Sequence, residues 1–169
     1  MKLKLAGIVK ESIVDGPGIR FVIFVQGCPH RCAGCHNPNT HDPSAGYELS
    51  TEEIIAQLPE NRLVRGLTFS GGEPFLQATA LAEIGREAKQ RGFSIVTFTG
   101  FVCEHLLEQS RENIGIAALL SVTDLLIDGP FQQDQRDIGL RFRGSGNQRL
   151  IDAQATIKAG QPVEWTDTT

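Results

Sequence analysis

No stretch of 18 apolar residues occurs in the chain, so nothing in it reads as a membrane span. The opening residues, MKLKLAG, carry charge but no long apolar run and no small-residue cleavage site. They do not read as a signal peptide, and a cytoplasmic protein is expected. Basic residues are not in excess: 16 Lys plus Arg against 20 Asp plus Glu leave a formal net charge of −4. That balance lacks the electrostatic footprint of a general nucleic-acid binder. Repeats, low-complexity tracts and linkers are missing as well. Hydrophobic residues at 40% and charged residues at 21% exclude a disordered chain. A length of 169 residues suits one domain, spanning 1–169, with a core large enough to need no covalent staples.

Cysteine is scarce but clustered. Of the four, Cys28, Cys32 and Cys35 fall within eight residues, and Cys103 stands apart. In a reducing compartment such a cluster points to metal or redox chemistry before disulfides.

Around the cluster, strand and helix signals alternate. Residues 19–25 (IRFVIFV) form a continuous apolar, β-branched run, as a strand buried on both faces should. A polar loop follows over 27–47. Residues 50–53 (STEE) open a helix reaching about 58, because a hydroxyl cap followed by acids suits a helix N-terminus. Residues 66–70 (GLTFS) are a second strand, ended by Gly71-Gly72, and Pro74 begins a helix that stops before Gly92. Residues 94–99 are a third strand, 102–109 a helix and 124–128 a fourth strand, with 148–152 a late strand or hairpin arm. Strands separated by helices imply right-handed βαβ units and a mostly parallel sheet. Sites in such sheets gather at the carboxyl ends of strands. Cys28, Gly71-Gly72, Thr99-Gly100 and Asp128-Gly129 each lie just after a predicted strand, so they are expected on one rim.

The spacing Cys28-x3-Cys32-x2-Cys35 offers three soft thiolates on a short loop. Three thiolates can hold three irons of a cubane cluster and leave the fourth open, as catalytic metals are left open. Other readings stay available. His30 or His36 completes a structural Cys3His zinc knot, and Cys103 as a fourth thiolate closes an inert cluster. Cys32-Ala33-Gly34-Cys35-His36 also matches a c-type haem attachment signature; it leaves Cys28 without a role and normally requires export.

The wider pattern extends this. Gly16-Pro17-Gly18-Ile19-Arg20, Phe24, then Gly27-Cys28-x3-Cys32-x2-Cys35-His36-Asn37 resembles the signature of the glycyl-radical-enzyme activases, members of the radical S-adenosylmethionine (SAM) superfamily. The likeness continues through Ser70-Gly71-Gly72-Glu73-Pro74, Thr99-Gly100 and Asp128-Gly129. The short chain and the run 143–148 (RGSGNQ) resemble the branch that activates anaerobic ribonucleoside-triphosphate reductase.

The resemblance implies an α/β fold, a partial parallel β/α barrel of the radical SAM type. It implies a [4Fe–4S] cluster on Cys28, Cys32 and Cys35, with SAM chelating the open iron. One electron would cleave SAM, and the resulting radical would take a hydrogen atom from a glycine of a large partner, an anaerobic ribonucleotide reductase. Reduced flavodoxin or ferredoxin would donate the electron. No side-chain acid or base is expected, since the cofactors carry the chemistry. Gly34, Cys35 and His36 would approach the adenine. Gly71 and Gly72 would let the backbone meet the methionine end, and Glu73 would accept from its ammonium. Thr99 and Asp128 would contact SAM from later strand ends. Related pyruvate formate-lyase activases carry a Lys where this chain has Pro130; that charged contact is either absent here or supplied elsewhere, with Arg141 and Arg143 as the candidates. Cys103 reads as a small core residue, 141–149 as a basic loop and 166–169 as a frayed tail. The competing functions are another glycyl-radical partner, a small substrate such as a deazapurine precursor, or a structural zinc module. So short a chain leaves little protein to enclose a small molecule, so an open mouth suited to a protein substrate is expected.

Overall fold

The computed structural model describes residues 1–167. A seven-stranded sheet carries the fold, with β1 (Lys2–Ser12), β2 (Ile19–Val25), β3 (Tyr47–Ser50), β4 (Val64–Gly71), β5 (Ser94–Phe98), β6 (Leu125–Asp128) and β7 (Arg149–Asp152). Their order is β3-β1-β2-β4-β5-β6-β7. β2, β4, β5 and β6 run parallel, while β1, β3 and β7 join antiparallel at the two sides. The sheet does not close on itself, so the barrel is partial.

The predicted strands are present. The mostly parallel expectation holds for the centre and fails at the sides. β1 has no counterpart among the expected elements: residues 2–12 form a strand. It is irregular, with register shifts between Leu5 and Gly7 and between Val9 and Ser12, which breaks the period-two signal. The late segment 148–152 is an antiparallel partner of β6.

Five helices pack on the sheet: α1 (Thr51–Ile55), α2 (Ala78–Gln90), α3 (Cys103–Gln109), α4 (Ile114–Val122) and α5 (Ala153–Ala159). α1 starts at a full capping box, Glu53 N–H donating to Ser50 Oγ at 3.0 Å and Ser50 N–H to Glu53 Oε2 at 2.8 Å. The helix expected from Pro74 opens as a 3-10 turn, Pro74–Gln77, and becomes α-helical only at Ala78. The alternation of β2 sends Phe21, Ile23 and Val25 into the helix-side core with Leu67, Phe69, Leu81, Ile84 and Leu126. The opposite, inner face has its own cluster of Val96, Leu125 and Ile127, covered by Phe98, Phe142, Leu150 and Trp165. Trp165 therefore has a clear role: it is a lid on the inner face. Asp167 pairs with Arg141, so the tail is anchored as far as that residue, and the remainder of 166–169 lies outside the described residues.

Arg20 is the largest fully buried side chain of the inner face. It has five hydrogen bonds and no carboxylate partner among them. Nε donates to Thr68 Oγ1 (3.2 Å), Nη1 to Ser94 Oγ (2.8 Å) and Pro17 O (3.3 Å), and Nη2 to Leu67 O (2.7 Å) and Ser94 O (3.0 Å). Burial pulls its pKa down to about 10, so it remains charged at neutral pH. Thr68 Oγ1–H in turn donates to Asp15 O at 2.8 Å. The carbonyls of Asp15 and Pro17 are thus tied to the buried Thr68 and Arg20 side chains. Arg20→Leu leaves several buried acceptors without donors, and a loss of about 3 kcal/mol is expected in urea unfolding; a loss under about 1 kcal/mol would contradict this account.

Candidate functional site

The carboxyl ends of β2, β4, β5 and β6 meet at one rim, as the strand pattern predicts. There a cavity of about 460 Å³ opens to solvent, lined by Cys28, Cys32 and Cys35 on one wall and by Ser70, Gly71, Gly72, Phe98, Thr99 and Gly129 from the strand ends. Phe131, Phe142 and Arg143 line it as well, with Val14 and Asp15 from the segment before β2. Neither Asp15 nor Phe131 stands out in the sequence as a cavity residue; no local pattern marks a residue that reaches a cavity through tertiary packing.

The cysteine loop is tied to the fold at its base. Gly27 N–H donates to Thr40 O (2.7 Å) and Cys28 N–H to His41 O (3.2 Å). Within it, Cys35 N–H donates to Cys32 O (3.2 Å) and Asn37 N–H to Cys35 Sγ (3.4 Å). All three thiols are free and partly exposed, while Cys103 is buried and absent from the cavity. Burial pushes the Cys28 thiol up, with the nearby Glu73 carboxylate adding to it. Cys103 is pushed up to about 12, by burial first and Asp128 second. The thiolate is the reactive form, so at pH 8 native, metal-free protein is expected to alkylate at the loop cysteines and spare Cys103 until unfolded, read by peptide mass spectrometry. The folded state keeps the Cys103 proton to higher pH than the unfolded chain. Its stabilising contribution is therefore intact below about pH 8.5 and declines as pH rises towards 12.

The residues suit a bound iron–sulfur group. No three His, Cys, Asp or Glu side chains among the described residues converge on a point that would hold a single metal ion. In a cubane cluster each thiolate has its own iron, so such convergence is not required. Two cavity-lining side chains also carry a buried nitrogen with no partner in the protein, His41 Nε2 and Arg143 Nε. A buried donor without an acceptor costs about 1–3 kcal/mol, and an anionic group in the cavity would relieve both.

The predicted contacts divide. His36, Gly71, Gly72 and Thr99 line the cavity, His36 packing edge-on against Phe131 at 5.2 Å between ring centroids. Gly34 does not line it; its α-carbon faces the Gln133 and Phe131 side chains. Glu73 and Asp128 lie behind the cavity wall. Both are buried, neither lines the cavity, and the protein itself uses their oxygens. Glu73 accepts from Phe75 N–H, Thr99 Oγ1–H, Gly100 N–H and His30 Nε2–H. Asp128 accepts from Cys103 N–H at 2.7 Å, at the start of α3, and from the Arg149 guanidinium. Arg149 is held by Asp128 and Glu104 together, which pushes its pKa up further. Of the arginines in the basic stretch, Arg143 lines the cavity, its Nη1 donating to Gln148 O at 2.8 Å. Arg141 lies over the Phe142 ring at 4.6 Å and pairs with Asp167.

Comparison with known proteins places this site. Residues 14–151 match the family model described as a 4Fe-4S single cluster domain. The chain is 38% identical over 145 residues to the anaerobic ribonucleoside-triphosphate reductase-activating protein of Vibrio cholerae, covering 81% of this chain and 90% of that one. It belongs to this 4Fe–4S activating-enzyme family, of the radical SAM type. Similarity to the family member of Haemophilus influenzae is 37% over the same length and shares. The pyruvate formate-lyase 1-activating enzyme of Escherichia coli is 36% identical over 145 residues, covering 82% of this chain but 56% of that longer protein. The crystal structure of QueE from Escherichia coli superposes with a TM-score of 0.45 at 19% identity, over 59% of this chain and 53% of that one. Among the described residues of this activating enzyme, no helix is long and apolar enough to cross a membrane.

Proposed function

We propose that the chain, as one domain over residues 1–169, uses SAM at a [4Fe–4S] cluster to install a glycyl radical on an anaerobic ribonucleoside-triphosphate reductase in the cytoplasm. The observation that carries this is the common cavity: three cysteines in the Cys-x3-Cys-x2-Cys spacing share it with the ends of the parallel strands. The names of relatives that the chain covers nearly end to end support the choice of partner.

Cys28, Cys32 and Cys35 would hold the cluster, in the cavity that they share with Gly71, Gly72 and Thr99. When bound, the reduced cluster supplies the electron that breaks the sulfonium bond of SAM. Gly71, Gly72 and Thr99 seat the methionine end. His36, braced by Phe131, flanks the adenine end. Arg143 stands where a cation can neutralise the methionine carboxylate and takes the role for which Pro130 has no charge. Phe98, Phe131 and Phe142 make that part of the wall apolar and reduce water access. The cavity opens to solvent, which suits entry of a glycine-bearing loop better than enclosure of a small molecule. The electron comes from a low-potential carrier, flavodoxin or ferredoxin.

The test is anaerobic reconstitution with iron and sulfide, followed by reduction and addition of SAM and the reductase. A glycyl radical on the reductase, seen by electron paramagnetic resonance, is expected in proportion to 5′-deoxyadenosine formed. Product without a radical would redirect the reading to another partner. One tightly bound zinc and no iron would leave a structural metal module.

A further inference from the structure

Glu73 is the most heavily bonded carboxylate in the molecule's centre; it does not itself line the cavity, but His30, Thr99 and Gly100, which bond to it, do. Glu73 is fully buried. Oε1 accepts from His30 Nε2–H at 2.6 Å and from Gly100 N–H at 2.8 Å; Oε2 accepts from Phe75 N–H at 3.0 Å; Thr99 Oγ1–H lies 2.9 Å from both. A carboxylate offers about four lone-pair sites, so these donors use its capacity. Three of them, Phe75, Thr99 and Gly100, belong to the strand ends and the turn after β4. The fourth, His30, sits between the first two cysteines of the loop.

The seat for His30 is specific. Its ring meets Phe101 edge-on, centroids 4.5 Å apart at 78°. On the other side it lies against Gly100, where an added β-carbon would stand 2.4 Å from His30 Cδ2. The side chain is 16% exposed. Loops of this length without regular structure are mobile unless side chains fasten them, and a hydrogen bond between a buried carboxylate and an imidazole is among the stronger ways to do so.

We propose that Glu73 and His30 are positioning residues that fasten the cysteine loop to the ends of β4 and β5, so that Glu73 acts on the cluster through His30 and not by touching SAM. The proposal rests on the reading that this loop holds the cluster. Metal sites depend on such outer partners to aim their ligands, at tenfold to hundredfold in affinity.

The experiment uses the full chain, reconstituted, as wild type, Glu73→Gln, His30→Phe, the double variant and His30→Gln. Cluster loss to an iron chelator is followed by visible absorbance, and SAM affinity is measured on the fraction that retains cluster. Each of the first two variants is expected to lose cluster about tenfold faster, consistent with the outer-partner range. The double variant should be no faster than the worse single, because both break one link. His30→Gln, which keeps a donor, should recover part of the loss, and SAM affinity should stay within about twofold. Multiplied effects in the double variant overturn the latch. So does Glu73→Gln with weakened SAM binding and unchanged cluster loss, which would make Glu73 a ligand contact. Metal-free protein gives a separate readout. Arg31 is exposed in the same loop, and trypsin should cut after it faster in Glu73→Gln and His30→Phe. Equal cutting rates overturn the latch whether or not iron is taken up. A wild type that assembles no cluster but shows the faster cutting in both variants refutes the cluster reading and leaves the latch standing.

Discussion

Cys32→Ala is expected to lose iron–sulfur assembly and 5′-deoxyadenosine formation together, by at least about a hundredfold, since removing a mere outer partner of a metal site already costs up to that much. Cys32 is the middle ligand of the loop, and with it gone only two thiols remain at the cavity. Cys103 cannot substitute: it is fully buried, lies at the start of α3 and does not line the cavity. The matched control is Cys103→Ala, which should keep iron content and product near wild type at a modest cost in stability. Iron and sulfide analysis, the visible spectrum and product assay read the result. A Cys32→Ala protein that still makes product would place the ligands elsewhere. Zinc retained by wild type at one equivalent, with no iron after anaerobic reconstitution, would replace the enzyme with a structural module.

The sequence exposed the rim of this site and hid its wiring. Cys28, Gly71-Gly72 and Thr99 were legible because each follows an apolar run that can only be a strand, and parallel strands deliver their ends to one side. Glu73 and Asp128 were read as ligand contacts because an acid beside glycine at a strand end looks the same whether it faces a ligand or a backbone donor. Only packing shows the backbone donors, and here Gly100 N–H and Cys103 N–H bond them. α4 went unseen for a different reason: IGIAALLSV is apolar on nearly every side, so it lacks the amphipathic period that marks a surface helix. β1 was obscured by its bulges. Trp165 was a lone aromatic in a polar tail, and nothing local says that the inner face of a half-open sheet needs a cover. Arg20 was visible only through family likeness. Charge in a continuous apolar strand argues for a function, yet its bonds all go to the protein, where they tie Pro17, Leu67 and Thr68 together.

The turn that ends β4 carries the second large effect. Gly72 N–H donates to Val25 O and Glu73 N–H to Gly27 O, both at 2.8 Å. The Gly71-Gly72 turn is therefore zipped to the last residues before Cys28, and the two segments that flank the cavity share one backbone ladder. A β-carbon on Gly72 would stand 2.2 Å from Gly27 O. Gly71 has φ +94°, and its β-carbon would stand 2.6 Å from Val25 N and O. These neighbours are backbone, so no side chain can rotate away. Gly72→Ala must either break the ladder or push the base of the cysteine loop outward. We expect a loss of about 3 kcal/mol in urea unfolding of the metal-free protein. Cluster uptake should fall at least about tenfold, because the displaced residue adjoins the first ligand. Gly7→Ala is the comparison, since nothing lies within 4 Å of its added carbon; it should stay within about 0.5 kcal/mol of wild type. If Gly72→Ala matched Gly7→Ala in stability and took up iron normally, the close approach of these two segments would have no bearing on the site. If it folded nearly as well but failed to take up iron, the glycine pair would be there for the cysteine loop first and for the turn second. That outcome would explain why both glycines sit at the strand end that packs against Gly27.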